Sequence, residues 1–370
     1  MTMTIWRFAD WLNPVTPAAR ITLGEGNTPL VRSRNFGPRL GFQNLHFKLE
    51  TSNPTASYKD RFAAAAVSHM VAEGKTRCVA TSSGNTGSSL AAYCAAAKIE
   101  CVIAIVEGAP LGKLQQMLAY GAKLFRIQGF GLDPQLTKEA FTIVKALGSQ
   151  PGSATQVSSY TVSPVGMSGV KSLSYELAEQ AGDELQHVFC PAGGGGMALA
   201  VARGFADLVQ LGKLRASPRV EVVQPAGNDT IATSLRSGAS VAREVHCTSK
   251  ISGLQVPNVM DGDLVIAACR ANGGSGHTVS DELIWEVQQQ LARDEGIFCE
   301  PAGATAIAGA VQALRDGRIN PSAHIVCCVT GSGFKDPASV ERMLSGVECP
   351  LITLNEFARA CRLNQPTPDS

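Results

Sequence analysis

The sequence has almost no net charge, no long hydrophobic run, no paired-cysteine motif and no histidine cluster, and each absence removes a class of function. Lysine and arginine total 32 against 31 aspartate and glutamate, so nothing electrostatic favours nucleic acid or a membrane surface as a partner. No apolar stretch approaches the roughly 20 residues that a membrane-crossing helix needs. Met1–Leu12 lacks the apolar core of a secretion signal and carries Asp10, so a cytoplasmic location is expected. The 11 cysteines form no C-x-x-C pair and are scattered through apolar segments, as at Cys94, Cys101, Cys190 and Cys269; they are expected to be reduced core thiols. Cys327 and Cys328 adjoin within one apolar run, where successive strand side chains face opposite ways. His46, His69, His187, His246, His277 and His324 show no ligand spacing, so no metal site is expected. No repeat or low-complexity segment is present, and only the tail Asn364–Ser370, with its two prolines, reads as disordered.

What is there is a globular composition, 370 residues with 45% hydrophobic and 17% charged content, long enough for two α/β domains. Apolar strands alternate with alanine-rich helices: Cys78 to Ala80, Glu100 to Val106, Lys123 to Ile127, His187 to Cys190, Val220 to Gln224 and His324 to Val329. That alternation predicts an α/β fold of parallel open sheets covered by helices on both faces.

Three segments carry chemistry. In Asn53-Pro54-Thr55-Ala56-Ser57-Tyr58-Lys59-Asp60-Arg61, a proline-broken turn runs into a helix expected over Phe62–Glu73, with Ser57 or Thr55 as cap. Lys59 then lies near the positive end of the helix dipole, which disfavours the cationic amine and makes it a usable nucleophile; a solvated first-turn lysine is the plain alternative. The loop Thr81-Ser82-Ser83-Gly84-Asn85-Thr86-Gly87-Ser88 joins a strand to a helix expected over Ser89–Ala97 and presents hydroxyls and backbone N–H groups to an anion. Past Val188-Phe189-Cys190, the run Pro191-Ala192-Gly193-Gly194-Gly195-Gly196-Met197 opens a helix expected over Ala198–Gln210. Four glycines let a backbone wrap a phosphate closely, whereas the dinucleotide spacing and its acidic partner are not clearly met. A helix-start lysine, a hydroxyl-rich loop and a glycine cup together point to pyridoxal phosphate.

With these motifs the chain resembles the fold-type II pyridoxal-phosphate enzymes, and among them the threonine synthases most closely. The resemblance rests on Trp6-Arg7-Phe8, Leu23-Gly24-Glu25-Gly26-Asn27-Thr28-Pro29-Leu30, Gly112-Lys113-Leu114-Gln115, Tyr120-Gly121-Ala122, Gly296-Ile297-Phe298-Cys299-Glu300-Pro301-Ala302 and Thr330-Gly331-Ser332-Gly333-Phe334-Lys335-Asp336-Pro337, in order along the chain. It implies the tryptophan synthase β-like architecture: two open-sheet α/β domains, a smaller one over residues 48–155 inserted into a larger one of residues 1–47 and 156–370, with the cofactor in the cleft between. It implies a homodimer acting on a small amino acid. It further implies that Lys59 carries the cofactor as an aldimine and moves the substrate Cα proton, that Asn85 meets the ring hydroxyl, and that Ser82, Ser83 and Thr86 hold the substrate carboxylate. Gly193, Gly194, Gly195, Gly196 and Met197 would cradle the phosphate, and Thr330 would face the ring nitrogen, where a hydroxyl leaves the ring uncharged.

The departures from the family pattern lie where substrate should sit. The segment Ser163-Pro164-Val165-Gly166-Met167-Ser168-Gly169-Val170-Lys171-Ser172 places Gly166 where threonine synthases carry a phosphate-binding arginine, and Ser168 where they carry glutamate. Glycine has no bidentate fork for phosphate, which leaves Lys113 and Lys171 as candidate anion ligands, each read equally well as a solvated surface lysine. The tetraglycine run is more similar to that of threonine dehydratases, and Ser332 stands where a histidine is common. The expected activity is therefore a lyase reaction, elimination or replacement on a small L-amino acid with a leaving group at Cβ or Cγ. The alternatives are a β-eliminating dehydratase or ammonia-lyase, and a β-replacement synthase using phosphoserine or O-activated serine. A non-catalytic metabolite-binding relative is a remoter one, since such a module would not need Lys59.

Overall fold

The computed structural model describes residues 3–256 and 259–362; the tail expected to be disordered lies outside them. Ten strands build two sheets. β1 (Leu30–Arg32), β2 (Leu45–Leu49), β7 (His187–Pro191), β8 (Arg219–Pro225), β9 (Gly276–Val279) and β10 (Ile325–Val329) form a six-stranded sheet in the order β1-β2-β10-β7-β8-β9. Only β1 runs antiparallel. β3 (Arg77–Thr81), β4 (Glu100–Val106), β5 (Lys123–Ile127) and β6 (Ser153–Gln156) form an all-parallel sheet in the order β5-β4-β3-β6. The six strands read from the sequence are all present, within two residues at their ends. β1, β2, β6 and β9 were not expected, being short or mixed in polarity. The seams at 47/48 and 155/156 fall inside β2 and β6.

The central strand β10 shows why the larger sheet is buried on both faces. Its five residues are all buried; Cys327 belongs to one core cluster with Phe47 and Phe189, while Val326 and Cys328 belong to the cluster on the opposite face with Val188. An unbroken apolar run in a parallel sheet requires such two-sided cover. The helices Lys59–Ala72 and Pro164–Val170 cross closely because the second carries small residues at the contact. A Cβ on Gly169 would lie 2.2 Å from the Arg61 carbonyl oxygen, and one on Gly166 would lie 2.6 Å from Phe62 Cε2. Among the described residues no helix is long and apolar enough to cross a membrane.

A buried charge network ties the N-terminal segment to the start of the Lys59–Ala72 helix. Arg61 is fully buried, with Nε 2.7 Å from Glu50 Oε2 and Nη1 2.6 Å from Glu176 Oε1. Lys48 Nζ lies 2.8 Å from Glu176 Oε2 and donates to the Thr28 carbonyl. The Asn27 and Thr28 amides donate to Glu176, the Thr28 hydroxyl to Glu50, and the Gly26 amide to Asn53 Oδ1. The segment Gly24–Leu30 is thus a clamp on Glu50, Arg61 and Glu176.

Candidate active site

Lys59 is the first residue of its helix, three positions earlier than expected. Neither expected cap operates: the Thr55 hydroxyl donates to Asp60 Oδ1 at 2.6 Å, and Ser57 Oγ is buried without a partner. The turn is fixed instead by Ala56 in the left-handed region, φ 66°, whose carbonyl accepts from the Ser332 amide at 3.0 Å. A non-glycine residue held there carries strain of the kind found at functional turns. Ser57 forms a bridge with Gly331, and the Tyr58 amide donates to the Thr330 carbonyl at 3.0 Å. Lys59 and Thr330, 271 positions apart in the chain, therefore share one backbone junction at the carboxyl end of β10.

The Lys59 amine is half-buried and its neighbours are neutral. Nζ donates to the Tyr58 hydroxyl at 2.7 Å and to Ser158 Oγ at 2.9 Å, and no carboxylate pairs with it among the described residues. Ser158 Oγ also lies 3.0 Å from the Thr86 hydroxyl. That contact brings in the hydroxyl loop, whose helix starts at Asn85 rather than Ser89. A helix start leaves its first N–H groups without intrahelical partners. Ser82 Oγ accepts the Gly84 amide at 3.2 Å, and Ser82 and Ser83 are half-buried at the mouth of the loop.

Asn85 Nδ2 donates to Glu300 Oε1 at 2.8 Å, which leaves Asn85 Oδ1 free to face the site. Glu300 is buried beside Gly331, where a Cβ would lie 2.3 Å from its carboxylate. Burial raises its pKa to about 7, against the lowering pull of Lys335 and the Asn85 hydrogen bond.

The glycine run turns from β7 into a helix that begins at Gly196. Gly195 has φ 80°, and a Cβ there would lie 2.7 Å from Val265 Cγ2. At Gly193 it would lie 3.0 Å from the Gly253 carbonyl, and at Gly196 3.3 Å from the Ser158 carbonyl. Ser158 thus borders the glycine cup with its backbone and meets Lys59 with its hydroxyl. A cup that leaves no easy room for a Cβ at Gly193, Gly195 or Gly196, backed by a helix N-terminus and set beside an amine with only hydroxyl partners, fits the phosphate and aldehyde ends of pyridoxal phosphate. The Met197 side chain lies in the core, so only its backbone is available to the cup.

The two lysines named as anion ligands part company. Lys113 Nζ contacts Ser252 and lies 3.0 Å from Asp336 Oδ2, next to the Glu300–Lys335 group. Lys171 Nζ lies 2.7 Å from Asp207 and also meets the Trp11 carbonyl; the structure does not bring it to the Lys59 cluster. Three residues of the cluster carried no role in the sequence reading: Tyr58, Ser158 and Glu300. Glu300 sat in a recognised stretch, so its burial beside Asn85 was the missing information. The scattered-cysteine reading also missed a proximity, since the buried sulfurs of Cys78, Cys94 and Cys101 all lie within 4.8 Å of one another.

Residues 21–331 match the family described as pyridoxal-phosphate dependent enzyme. Threonine synthase of Methanocaldococcus jannaschii is 31% identical over 366 residues, covering 96% of this chain and 87% of that protein. Threonine synthase of Mycobacterium bovis is 33% identical over 329 residues, covering 89% and 85%. Among solved structures, the processed form of threonine deaminase isoform 2 from Solanum lycopersicum superimposes with a TM-score of 0.72 at 20% identity, over 93% of this chain and 94% of that one, a likeness of fold. By sequence and by architecture, this chain belongs to the pyridoxal-phosphate dependent enzymes of fold-type II.

Proposed function

We propose that this enzyme catalyses elimination or replacement on a small L-amino acid bearing a leaving group at Cβ or Cγ, with Lys59 as the residue that carries the cofactor and moves the Cα proton. The observation that carries this reading is the Lys59 amine held by two neutral hydroxyls, Tyr58 and Ser158, beside the glycine cup. Bound pyridoxal phosphate supplies the electron sink that stabilises negative charge at Cα. Lys59 Nζ, with no carboxylate to pin it as ammonium, takes and returns the proton. Ser158 and Tyr58 hold that amine in place between transfers. Ser82, Ser83, Thr86 and the first amides of the Asn85–Ala97 helix bind the substrate carboxylate. Gly193–Met197 would hold the phosphate through backbone N–H groups, Asn85 would hydrogen-bond the ring hydroxyl, and Thr330 would meet the ring nitrogen. Lys113 remains the candidate ligand for an anionic leaving group. We place this site between a smaller unit, residues 50–156, and the remainder of the chain, with the seams moved to respect β2 and β6.

Of these two positions for the leaving group, Gly166 favours Cβ. With Phe62 and Ala66 packed against that position, no arginine side chain fits there to receive a distal phosphate. The test is titration of the holoenzyme with O-phosphohomoserine, O-phosphoserine, serine and threonine, following the cofactor absorbance and identifying products by mass spectrometry. Threonine formed from O-phosphohomoserine supports the Cγ reading. A keto acid or a β-substituted product from the others supports the Cβ reading, and turnover of none of them overturns the assignment.

A further inference from the structure

The opposite end of the larger sheet carries a second cleft, of about 620 Å³, bordered by the segments that lead into β7, β8, β9 and β10. It lies one strand length, roughly 15 Å for five residues, from the glycine cup and Thr330, which leave the carboxyl ends of β7 and β10. Its lining is rich in unspent donors. Arg219, the first residue of β8, makes no side-chain hydrogen bond or ion pair among the described residues. Ser217 Oγ and Asn272 Nδ2 are buried without partners, and the Asn272 amide cannot rotate to hide its donor, because Oδ1 already accepts from the amides of Val220 and Gly274.

Two further guanidinium groups reach the same cleft with capacity left over. Arg215 Nε pairs with Asp183 at 3.1 Å, leaving both terminal nitrogens. Arg318 donates to Asp316 through Nε and Nη2 and to His277 Nδ1 through Nη1 at 2.8 Å. A guanidinium only donates, so His277 Nδ1 is the acceptor, and its Nε2 carries the proton given to Glu221 at 3.0 Å. Glu221 also meets His187 Nδ1 at 2.8 Å and the Ser275 amide. Asp183, the carboxylate that lines the cleft, and Asp316 and Glu221 behind its lining are therefore already engaged, while the Arg219 guanidinium, Ser217 Oγ and Asn272 Nδ2 are not.

We propose that this cleft binds a phosphate-bearing small molecule, with Arg219 as its principal ligand and Arg215, Arg318, Ser217 and Asn272 completing the donor set. A carboxylate's two oxygens are met by one guanidinium fork, whereas donors converging from several segments suit a tetrahedral oxyanion with more acceptor sites. The volume exceeds a bare phosphate and lies in the range of small-molecule sites, and Leu185 and Ile319 give the organic part an apolar wall.

The test is calorimetric titration of the holoenzyme with inorganic phosphate at constant ionic strength, with chloride as the control salt. The cofactor's phosphate then occupies the glycine cup. One saturable phosphate site is expected, weakened about tenfold or more in Arg219→Gln, as loss of a charged hydrogen-bond donor implies, and unchanged in Lys113→Gln. Arg219 is exposed and unpaired, so its replacement is expected to leave the melting temperature in place. Absence of saturable binding, equal affinity in Arg219→Gln, or loss of binding in Lys113→Gln instead would overturn the proposal.

Discussion

Lys59 and Arg61 are two cations on the first turn of one helix, and they live in opposite surroundings. Arg61 is fully buried and receives two carboxylates, Glu50 and Glu176, with Ser172 and Thr28 filling its remaining donors. Lys59 is half-exposed and receives two neutral hydroxyls. The first arrangement locks a charge on, since removing any member strands the others in the interior. The second leaves an amine that no carboxylate pairs with among the described residues. Two positions on one helical turn thus separate a cation locked into a buried ion network from an amine with no ion pair.

The comparison breaks first at Arg61. In Arg61→Leu the carboxylates of Glu50 and Glu176 lose their shared cation, at a cost of about 3–5 kcal/mol. Urea unfolding is expected to show a sharply lower midpoint or no folded protein, and a midpoint like the parent's would mean that the network is not structural. Lys59→Ala is the opposite case. Turnover should fall by about 10³-fold or more, while the unfolding free energy changes by about 1 kcal/mol or less, because no buried charge is stranded. Retained activity in that variant would remove Lys59 from the mechanism.

Acid sharpens the same contrast. Arg61 holds the carboxyl groups of Glu50 and Glu176 below the ordinary glutamate range against the opposing effect of their burial. Their stabilisation is fully present above the unfolded-state pKa, near 4.3, and is lost as pH falls from there toward their folded values. Their contribution, read in a Glu300→Gln background so that the Glu300 titration at about 7 does not overlie it, should be flat in urea midpoint from neutral pH down to about 5 and then fall by several kcal/mol. The fall should be shallower in Glu176→Gln, which removes one of the titrating groups; an equally steep fall would place the acid sensitivity elsewhere.

How much of this was legible in the sequence follows from the range of the interactions. Lys59, Asn85 and the glycine run announced themselves because each is a local pattern, a strand end followed by a turn and a helix start. The fold class was legible in the same way, through the unbroken apolar runs of β7 and β10. Thr55 misled because its hydroxyl goes to Asp60 rather than to the helix end. Lys171 misled because its partner, Asp207, comes from a helix 36 residues on. Ser158 has no local signature at all: only the folded chain sets its hydroxyl against Lys59 and Thr86 and its carbonyl against Gly196.

Glu300 gives the most diagnostic effect, because it is the buried carboxylate that lacks what Glu50 has. No cation saturates it, and burial lifts its pKa to about 7. A raised carboxyl pKa means that the folded state holds the proton more tightly than the unfolded chain. Stability from this group is therefore greatest below about pH 4.3 and declines as pH rises from there to about 7. Glu300→Gln removes that titration and keeps an oxygen to accept from Asn85 Nδ2. Relative to the parent, the variant should gain up to about 3 kcal/mol between pH 4.5 and pH 8 in the cofactor-free protein. A variant less stable at pH 8 than at pH 4.5, relative to the parent, would mean that Glu300 works as an anion paired to Lys335, and the contrast with Glu50 would close.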